Sequence, residues 1–432
     1  MIQSPPSRSA AVIGGSVSGL MASFVLSKHG FDVVLYEKRQ TFNRNIQWGV
    51  RQSFIDYLAC FDQEMAARFF SMASGIPNGY RFFADPSSFF EHGAYQHHKR
   101  SLPREGACSK GDLSGEQTLD HEIVCLVPAK ELETFLNSEV KRLKAATVRQ
   151  EEAPVIQYSK ADNSFHFPNE SHDLIVVSEG ASGKTRQAAG IESIDLSRTI
   201  MQVSGEVYIR RHGMIIEYLH AVPQADRHRE ELLLSLLIST DKNKASWIIG
   251  DVSSACLSKL QAGSDDSQGI IENEFRQIAA RTMVNAEQNI VEAGYKGAVG
   301  QVTLFPLQAR ISRKAVAGCN LVLAGDAVGV GHWSVGGGVH VAAVCHSRRL
   351  EELAGSFSRD MKKRSVALQQ YNDGVLKDTI AWISRGIKNY YLSIPGDVLE
   401  AVFDELIVEV MQNNAINFPE EFKKRVTAVY FP

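Results

Sequence analysis

The chain has no surplus of either charge. Its 46 lysines and arginines stand against 49 aspartates and glutamates, a formal net charge of −3 over 432 residues. That balance removes the electrostatic case for nucleic acid or an anionic membrane as partner. Cysteine is sparse and scattered. Cys60, Cys108, Cys125, Cys256, Cys319 and Cys345 form no CxxC pair, which excludes a disulfide framework and reads as reduced thiols in a cytoplasmic protein. No metal is expected, and His97-His98 before Lys99-Arg100 reads as an exposed turn. No stretch approaches a membrane span, the N-terminus has no basic region followed by an apolar one, and there are no internal repeats. What remains is an ordinary globular composition, 44% apolar and 22% charged, at a length that predicts two intimately packed domains.

The first informative stretch follows a polar, proline-containing tail. Ala10 to Ile13 predict a strand, Gly14-Gly15-Ser16-Val17-Ser18-Gly19 a turn, Leu20 to His29 an apolar helix, and Asp32 to Tyr36 a second strand ending at Glu37. Strand, glycine turn, helix, strand and terminal acid are the dinucleotide fingerprint in its required context. Gly14 allows the tight turn and Gly19 close packing of helix on strand, while Ser16 replaces the middle glycine and is still small enough to admit a pyrophosphate. Glu37 can accept from ribose hydroxyls, and an acid there disfavours a 2′-phosphate, so FAD or NAD is expected. Gly15, Ser18, Lys38 and Lys130 complete this candidate cofactor set. Arg44 and Arg51, on a loop running into a helix through Leu58, would neutralise a pyrophosphate or position a flavin; a plain surface role is equally open.

Residues 72 to 118 change character, with proline, glycine, serine and aromatics and strand-like pieces at Tyr80–Ala84 and Ser88–His92. A strand at Glu122 to Pro128 and an amphipathic helix from Lys130 to Leu143 follow. Asp173 to Val177 predict a third buried strand, and Glu179-Gly180 after it would bring backbone near the pyrophosphate. Period-two patterns at Met201–Ile209, Gly213–His220, Leu232–Ile238 and Trp247–Val252, with no helix between them, predict an antiparallel sheet. A helix from Ile270 to about Ala293 and a strand at Val302 to Leu307 close that insert.

Leu321 to Ala324 then predict a buried strand with Gly325 and Asp326 at its carboxyl end. Gly336, Gly337 and Gly338 let the backbone pass close to something flat before a helix begins at Val339. An acid at the strand end and bare helix-start amides suit a ribityl chain and the edge of a flavin. A final helix is expected from Asp397.

Taken together, Gly14/Ser16/Gly19 with Glu37, Glu179-Gly180, and Gly325-Asp326 with Gly336 and Gly338 resemble the class A flavoprotein monooxygenases, the para-hydroxybenzoate hydroxylase-like family, from Ala10 to about Leu353. Departures fall beside the flavin: Glu179 replaces an aspartate, Gly329 a histidine, Trp333 a proline and His340 an asparagine. The resemblance implies an α/β fold, a Rossmann-like FAD-binding domain with an inserted antiparallel-sheet substrate domain and a helical C-terminus. FAD-domain segments are expected at 1–71, 119–187 and 306–375, substrate-domain segments at 72–118 and 188–305, and a helical segment at 376–432. It further implies FAD reduced by NADPH or NADH, and a C4a-hydroperoxide delivering one oxygen atom from O2 to a small aromatic or unsaturated substrate, as hydroxylation or epoxidation. Asp326 would hold the ribityl chain and Gly336–Val339 the flavin ring. Trp333 and His340 would shape the flavin-side pocket; His340 is either an acid or base there or a hydrogen-bonded structural histidine. Phe305 or its neighbours would line the substrate side.

Other readings share this frame. A halogenase would carry a WxWxIP motif, yet Trp48, Trp247, Trp333 and Trp382 stand apart. A two-component monooxygenase fed by a partner reductase is motivated by the altered Glu179, and a reductase of the geranylgeranyl-reductase type would use the same FAD site. A non-catalytic binding protein would need neither Glu37 nor Asp326. A homodimer is left open.

Overall fold

A computed structural model describes residues 8–44, 46–75, 80–83, 123–181, 183–195, 199–207, 215–221, 232–238, 246–263, 266–287, 299–331 and 337–390. The expected strand at Ser88–His92, the turn at His97-His98, the helix from Asp397, and both Trp333 and Gly336 lie outside these residues.

The chain begins with β1 (Arg8–Ile13), α1 (Val17–Lys28) and β2 (Phe31–Tyr36), the two strands pairing in parallel. Helix α1 is buried from Val17 to Leu26 on every side, because it lies between the sheet and other helices. β3 (Gln47–Arg51) runs straight into α2 (Gln52–Phe61), followed by α3 (Gln63–Met72), β4 (Ser74–Gly75) and β5 (Tyr80–Phe83). Here the expected loop through Trp48 is corrected. Residues 47–51 form a strand because β6 (Ile123–Pro128) offers them an antiparallel partner, Trp48 opposite Val127, which local pattern could not reveal.

Next come α4 (Ala129–Lys141), β7 (Ala146–Arg149), the hairpin β8 (Gln157–Ser159) and β9 (Ser164–His166), β10 (Leu174–Val177) and α5 (Lys184–Ala188). The insert opens with β11 (Ser193–Asp195) and continues through β12 (Ile200–Val207), β13 (Ile215–Ala221), β14 (Leu232–Ile238), β15 (Ser246–Asp251), α6 (Ser254–Gln261), α7 (Ser267–Glu287) and β16 (Val299–Leu307). It closes on β17 (Arg310–Ser312), which pairs with β11, so its incoming and outgoing strands are joined at the base. After β18 (Val316–Ala317), β19 (Leu321–Leu323) and β20 (Gly329–Val330) come α8 (Gly337–His340), a π-helical turn at Val341–Cys345, α9 (His346–Ser356) and α10 (Met361–Tyr390).

The fold is α/β. Its main sheet has the order β18-β19-β10-β1-β2-β7, parallel except for β18. Leu174 to Val177 and Leu321 to Leu323 are buried throughout, as strands covered on both faces must be. The insert's sheet has the order β16-β12-β15-β14-β13-β5, antiparallel except where β5 joins β13 in parallel. Pro306 is accommodated because β16 is an edge strand. One face is sealed by α7, whose Phe275 ring lies where a side chain at Gly205 would sit, 2.7 Å away. α10 runs unbroken across the expected boundary between 375 and 376.

Cys125, Cys256, Cys319 and Cys345 are free and buried. Cys60 lies at the exposed end of α2, and Cys108 is outside the described residues.

Candidate active site

Three turns far apart in sequence meet at the carboxyl ends of β1, β10 and β19. Gly14 has φ +98°, and a Cβ there would stand 2.7 Å from Ser178 O and 2.8 Å from Glu179 Cα. At Gly19 a Cβ would lie 1.7 Å from Gly14 O and 2.5 Å from Ser178 Oγ, so only glycine lets α1 approach the turn. Ser178 Oγ donates to Gly14 O at 2.9 Å. The third turn joins through Gly325, in the left-handed region at φ +61°, where a Cβ would meet Ser18 Oγ at 2.6 Å. Tertiary contact thus assembles one site from the three motifs.

The N-terminus of α1 points into this junction without a side-chain cap. Ser16 sits at the cap position, but its Oγ donates to Glu133 Oε1 at 2.8 Å, and no acid lies in the first turn. The first-turn amides are therefore left for an anion. On the opposite wall a Cβ at Gly180 would meet nothing within 4 Å, so open space faces that turn. An uncapped helix start, open space at Gly180 and a strand-end acid fit a dinucleotide's pyrophosphate and ribityl chain.

The two acids behave differently. Glu37 is buried, accepting from Gly15 N at 2.8 Å and from a two-pronged Arg39, Nε at 3.0 Å and Nη2 at 2.8 Å. Burial alone would raise its pKa, but the Arg39 hydrogen bonds and charge win and hold it below the usual carboxylate range. Arg39 also faces the fully buried Glu133 at 3.4 Å. Arg39 and Glu133 escaped the sequence reading; the basic residue two positions past the terminal acid was their only signal. Asp326 is solvent-accessible, yet protein crowds around its carboxyl. That crowding raises its pKa against the opposing pull of Arg44 and Arg310. Arg310, another residue the sequence did not single out, donates from Nη2 to Asp326 O at 3.3 Å, from the outgoing strand of the insert.

Among the remaining expected cofactor residues, Arg44 is exposed, stacks over Trp48 at 6.0 Å and acts electrostatically on Asp326. Arg51 is buried on β3, and Lys38 and Lys130 are solvent-exposed. The backbone of Glu179 touches the Gly14 turn, but its carboxylate turns away. It accepts from Thr185 N and, at 2.8 Å, from Thr185 Oγ1. The Glu179 side chain is thus engaged at the start of α5, while its backbone, the part expected near a pyrophosphate, lies beside the Gly14 turn.

Gly331, Gly337 and Gly338 lie against an aromatic ring of the chain itself. A Cβ at Gly337 would stand 2.2 Å from Trp382 Cδ1, at Gly331 3.1 Å from Trp382 Cε2, and at Gly338 3.3 Å from Trp382 Cζ2. Trp382 is buried on α10, and its indole Nε1 has no hydrogen-bond partner among the described residues. Val339, half-buried, packs at the edge of the main core. His340 is 2% exposed, with Nδ1 at 3.1 Å from Ser53 Oγ and Nε2 at 3.5 Å from Cys345 Sγ. Both ring nitrogens thus face neighbouring side chains inside the protein.

Among the described residues there is no cluster able to hold a metal ion, and no helix is long and apolar enough to cross a membrane. The FAD binding domain family matches residues 8–343. Curated proteins return no match. Among solved structures, the chain is similar to CmlS, a flavin-dependent halogenase, with TM-score 0.65, 14% identity, and coverage of 98% of this chain and 72% of that one. It is also similar to pqsL, a probable FAD-dependent monooxygenase from Pseudomonas aeruginosa (TM-score 0.61, 14% identity, 92% of this chain and 99% of that one). A third is p-nitrophenol 4-monooxygenase PnpA from Pseudomonas putida DLL-E4 (TM-score 0.56, 12% identity, 98% and 93%). At such identities the structures speak for the fold, and the family match covers most of the chain. The protein belongs to the FAD binding domain family.

Proposed function

We propose that this chain is an FAD-dependent monooxygenase that takes electrons from NADPH or NADH and places one oxygen atom of O2 on a small aromatic or unsaturated molecule. The observation that carries the reading is the meeting of the uncapped α1 start, the Glu179-Gly180 turn and the Gly325 turn, which bears the exposed Asp326, at the ends of three adjacent strands. Bound FAD would supply the electron and oxygen chemistry. The protein's part is to bind and orient: α1 amides toward the pyrophosphate, Glu37 toward the adenosine ribose, Asp326 toward the ribityl hydroxyls. Glu37 can serve the ribose only if the Arg39 fork yields one of its oxygens, because Gly15 N and Arg39 now occupy both. The insert joins the cofactor domain beside Asp326 through β11 and β17, and we assign the substrate wall to its six-stranded sheet. Gln202, Ser204 and Asp251 are buried polar groups of that sheet, and Gln202 Nε2 donates to Asp251 Oδ1 at 2.7 Å. A cytoplasmic setting belongs to the same proposal.

One observation favours a second reading. The Glu179 carboxylate, at a turn tied to pyridine-nucleotide use by the resemblance, is engaged by Thr185. A two-component enzyme supplied by a separate reductase accommodates that. The visible spectrum of the purified protein, before and after anaerobic NADPH with candidate aromatic substrates, decides between them. A flavin band that bleaches supports the self-sufficient enzyme. A band that persists with every substrate, but bleaches when a flavin reductase and NADPH are added, supports the two-component one. Failure to take up FAD overturns both.

A further inference from the structure

The buried histidine at the start of α9 sits directly behind the Gly325-Asp326 turn. His346 is 1% exposed, and its Nδ1 lies 2.9 Å from Gly325 N. A backbone amide can only donate, so Nδ1 accepts and the proton is on Nε2. Nε2 then donates to Thr379 Oγ1 at 2.9 Å, and Thr379 Oγ1 donates to Val375 O at 2.7 Å. The chain of bonds runs from the turn through one imidazole into α10.

The rest of that face of α10 supports the same region. Tyr371 donates to Leu323 O at 2.7 Å, Thr379 packs where a Cβ at Gly329 would sit, and Trp382 underlies Gly331 and Gly337. Positions 371, 375, 379 and 382 share one helical face. Gly325, held in a left-handed conformation, is where the buried strand hands over to the accessible carboxylate of Asp326. An amide left without its acceptor there would let the turn relax, and Asp326 with it.

We infer that His346 is a positioning residue for the cofactor: as a neutral imidazole it accepts from Gly325 N and holds the turn that presents Asp326 to the ribityl chain. The inference rests on the reading of Asp326 given above. Charged groups near the ring are consistent with neutrality. Arg349 on α9 disfavours a second positive charge and is itself paired with Asp378 of α10 at 3.0 Å, while Asp326 is exposed to solvent; only the Val375 carbonyl favours protonation. Burial adds to this and pushes the imidazole pKa down to about 3.

The test compares FAD affinity, by flavin fluorescence quenching and the visible band, in wild type, His346→Leu, His346→Asn and Asp326→Ala. Asn places an acceptor where Nδ1 stood; Leu fills the space without one. His346→Leu should bind FAD roughly ten- to a hundredfold more weakly, since the cofactor must restore the turn. His346→Asn should recover most of that affinity and the wild-type band shape. Equal affinity of Leu and wild type overturns the inference, and so does an Asn variant as weak as Leu, which would reduce His346 to packing. If His346→Leu does not fold, Thr379→Val against Thr379→Ser reads the same relay: Val should bind FAD more weakly and Ser as wild type, and equal binding overturns the inference. Asp326→Ala separates the failures. If it binds FAD like wild type the site reading itself falls; if it loses FAD while the His346 variants do not, only this inference does.

Discussion

Acidification should destabilise this protein through His346 in a way that can be isolated. In the folded chain burial holds the imidazole neutral down to about pH 3, whereas the exposed side chain takes a proton near 6.5. Above 6.5 neither state is protonated and the stability is complete. Between 6.5 and about 3 the unfolded chain binds a proton that the folded chain refuses, so stability falls with falling pH. At roughly 1.4 kcal/mol per pH unit the full window is worth up to about 5 kcal/mol, a large part of a typical domain's stability. Over the range from about pH 7.5 to about pH 5.5 the loss from this residue alone is about 1.4 kcal/mol. Urea unfolding of wild type and His346→Asn at these two pH values measures it. Asp378, Glu37 and the other carboxylates are common to both chains and cancel in the difference. Wild type should lose about 1.4 kcal/mol more than the variant. Parallel losses would mean that the imidazole titrates in the folded state, and the donor assignment at Gly325 would fall with it.

Gly337→Ala should collide with the Trp382 indole, 2.2 Å from the new methyl, and cost about 1–3 kcal/mol in urea unfolding; adding Trp382→Leu should recover much of it, a non-additivity that contact requires. Arg39→Met should leave Glu133 buried beside Glu37 with its cation gone, lowering stability by about 1–3 kcal/mol at neutral pH, and by less as the pH falls through the carboxylate range, where the advantage Arg39 gives Glu37 is lost. Thermal unfolding at two pH values checks both the size and the direction. Tyr371→Phe removes the hydroxyl bonded to Leu323 O and should cost about 1–2 kcal/mol by chemical denaturation with the FAD site otherwise retained.

Much of the nucleotide-binding half was legible in the sequence because its signals are local. The apolar runs of β1, β10 and β19 are continuous since helices cover both faces, and the glycines of 14–19 sit where backbone must touch backbone. The antiparallel insert announced itself through alternation without helices. Residues 47–51 did not, since five residues become a strand only when β6 lies alongside. The glycine-rich run also packs on Trp382, 45 residues beyond Gly337, a neighbour that no local spacing announces.

By itself, then, the sequence determined the chemical type of the site: the glycine turns, the strand-end acids Glu37 and Asp326, and the order of strands and helices that carries them. Those depend on backbone freedom and on burial patterns written residue by residue. Only the tertiary structure decided which partners each side chain takes. Glu179 bonds Thr185 at the start of α5, Arg39 binds Glu37 and Glu133, Arg310 reaches Asp326 from the insert, and His346 joins the Gly325 turn to α10. Hydrogen bonds and ion pairs act within a few ångströms, and no spacing along the chain states which groups folding will bring within that reach.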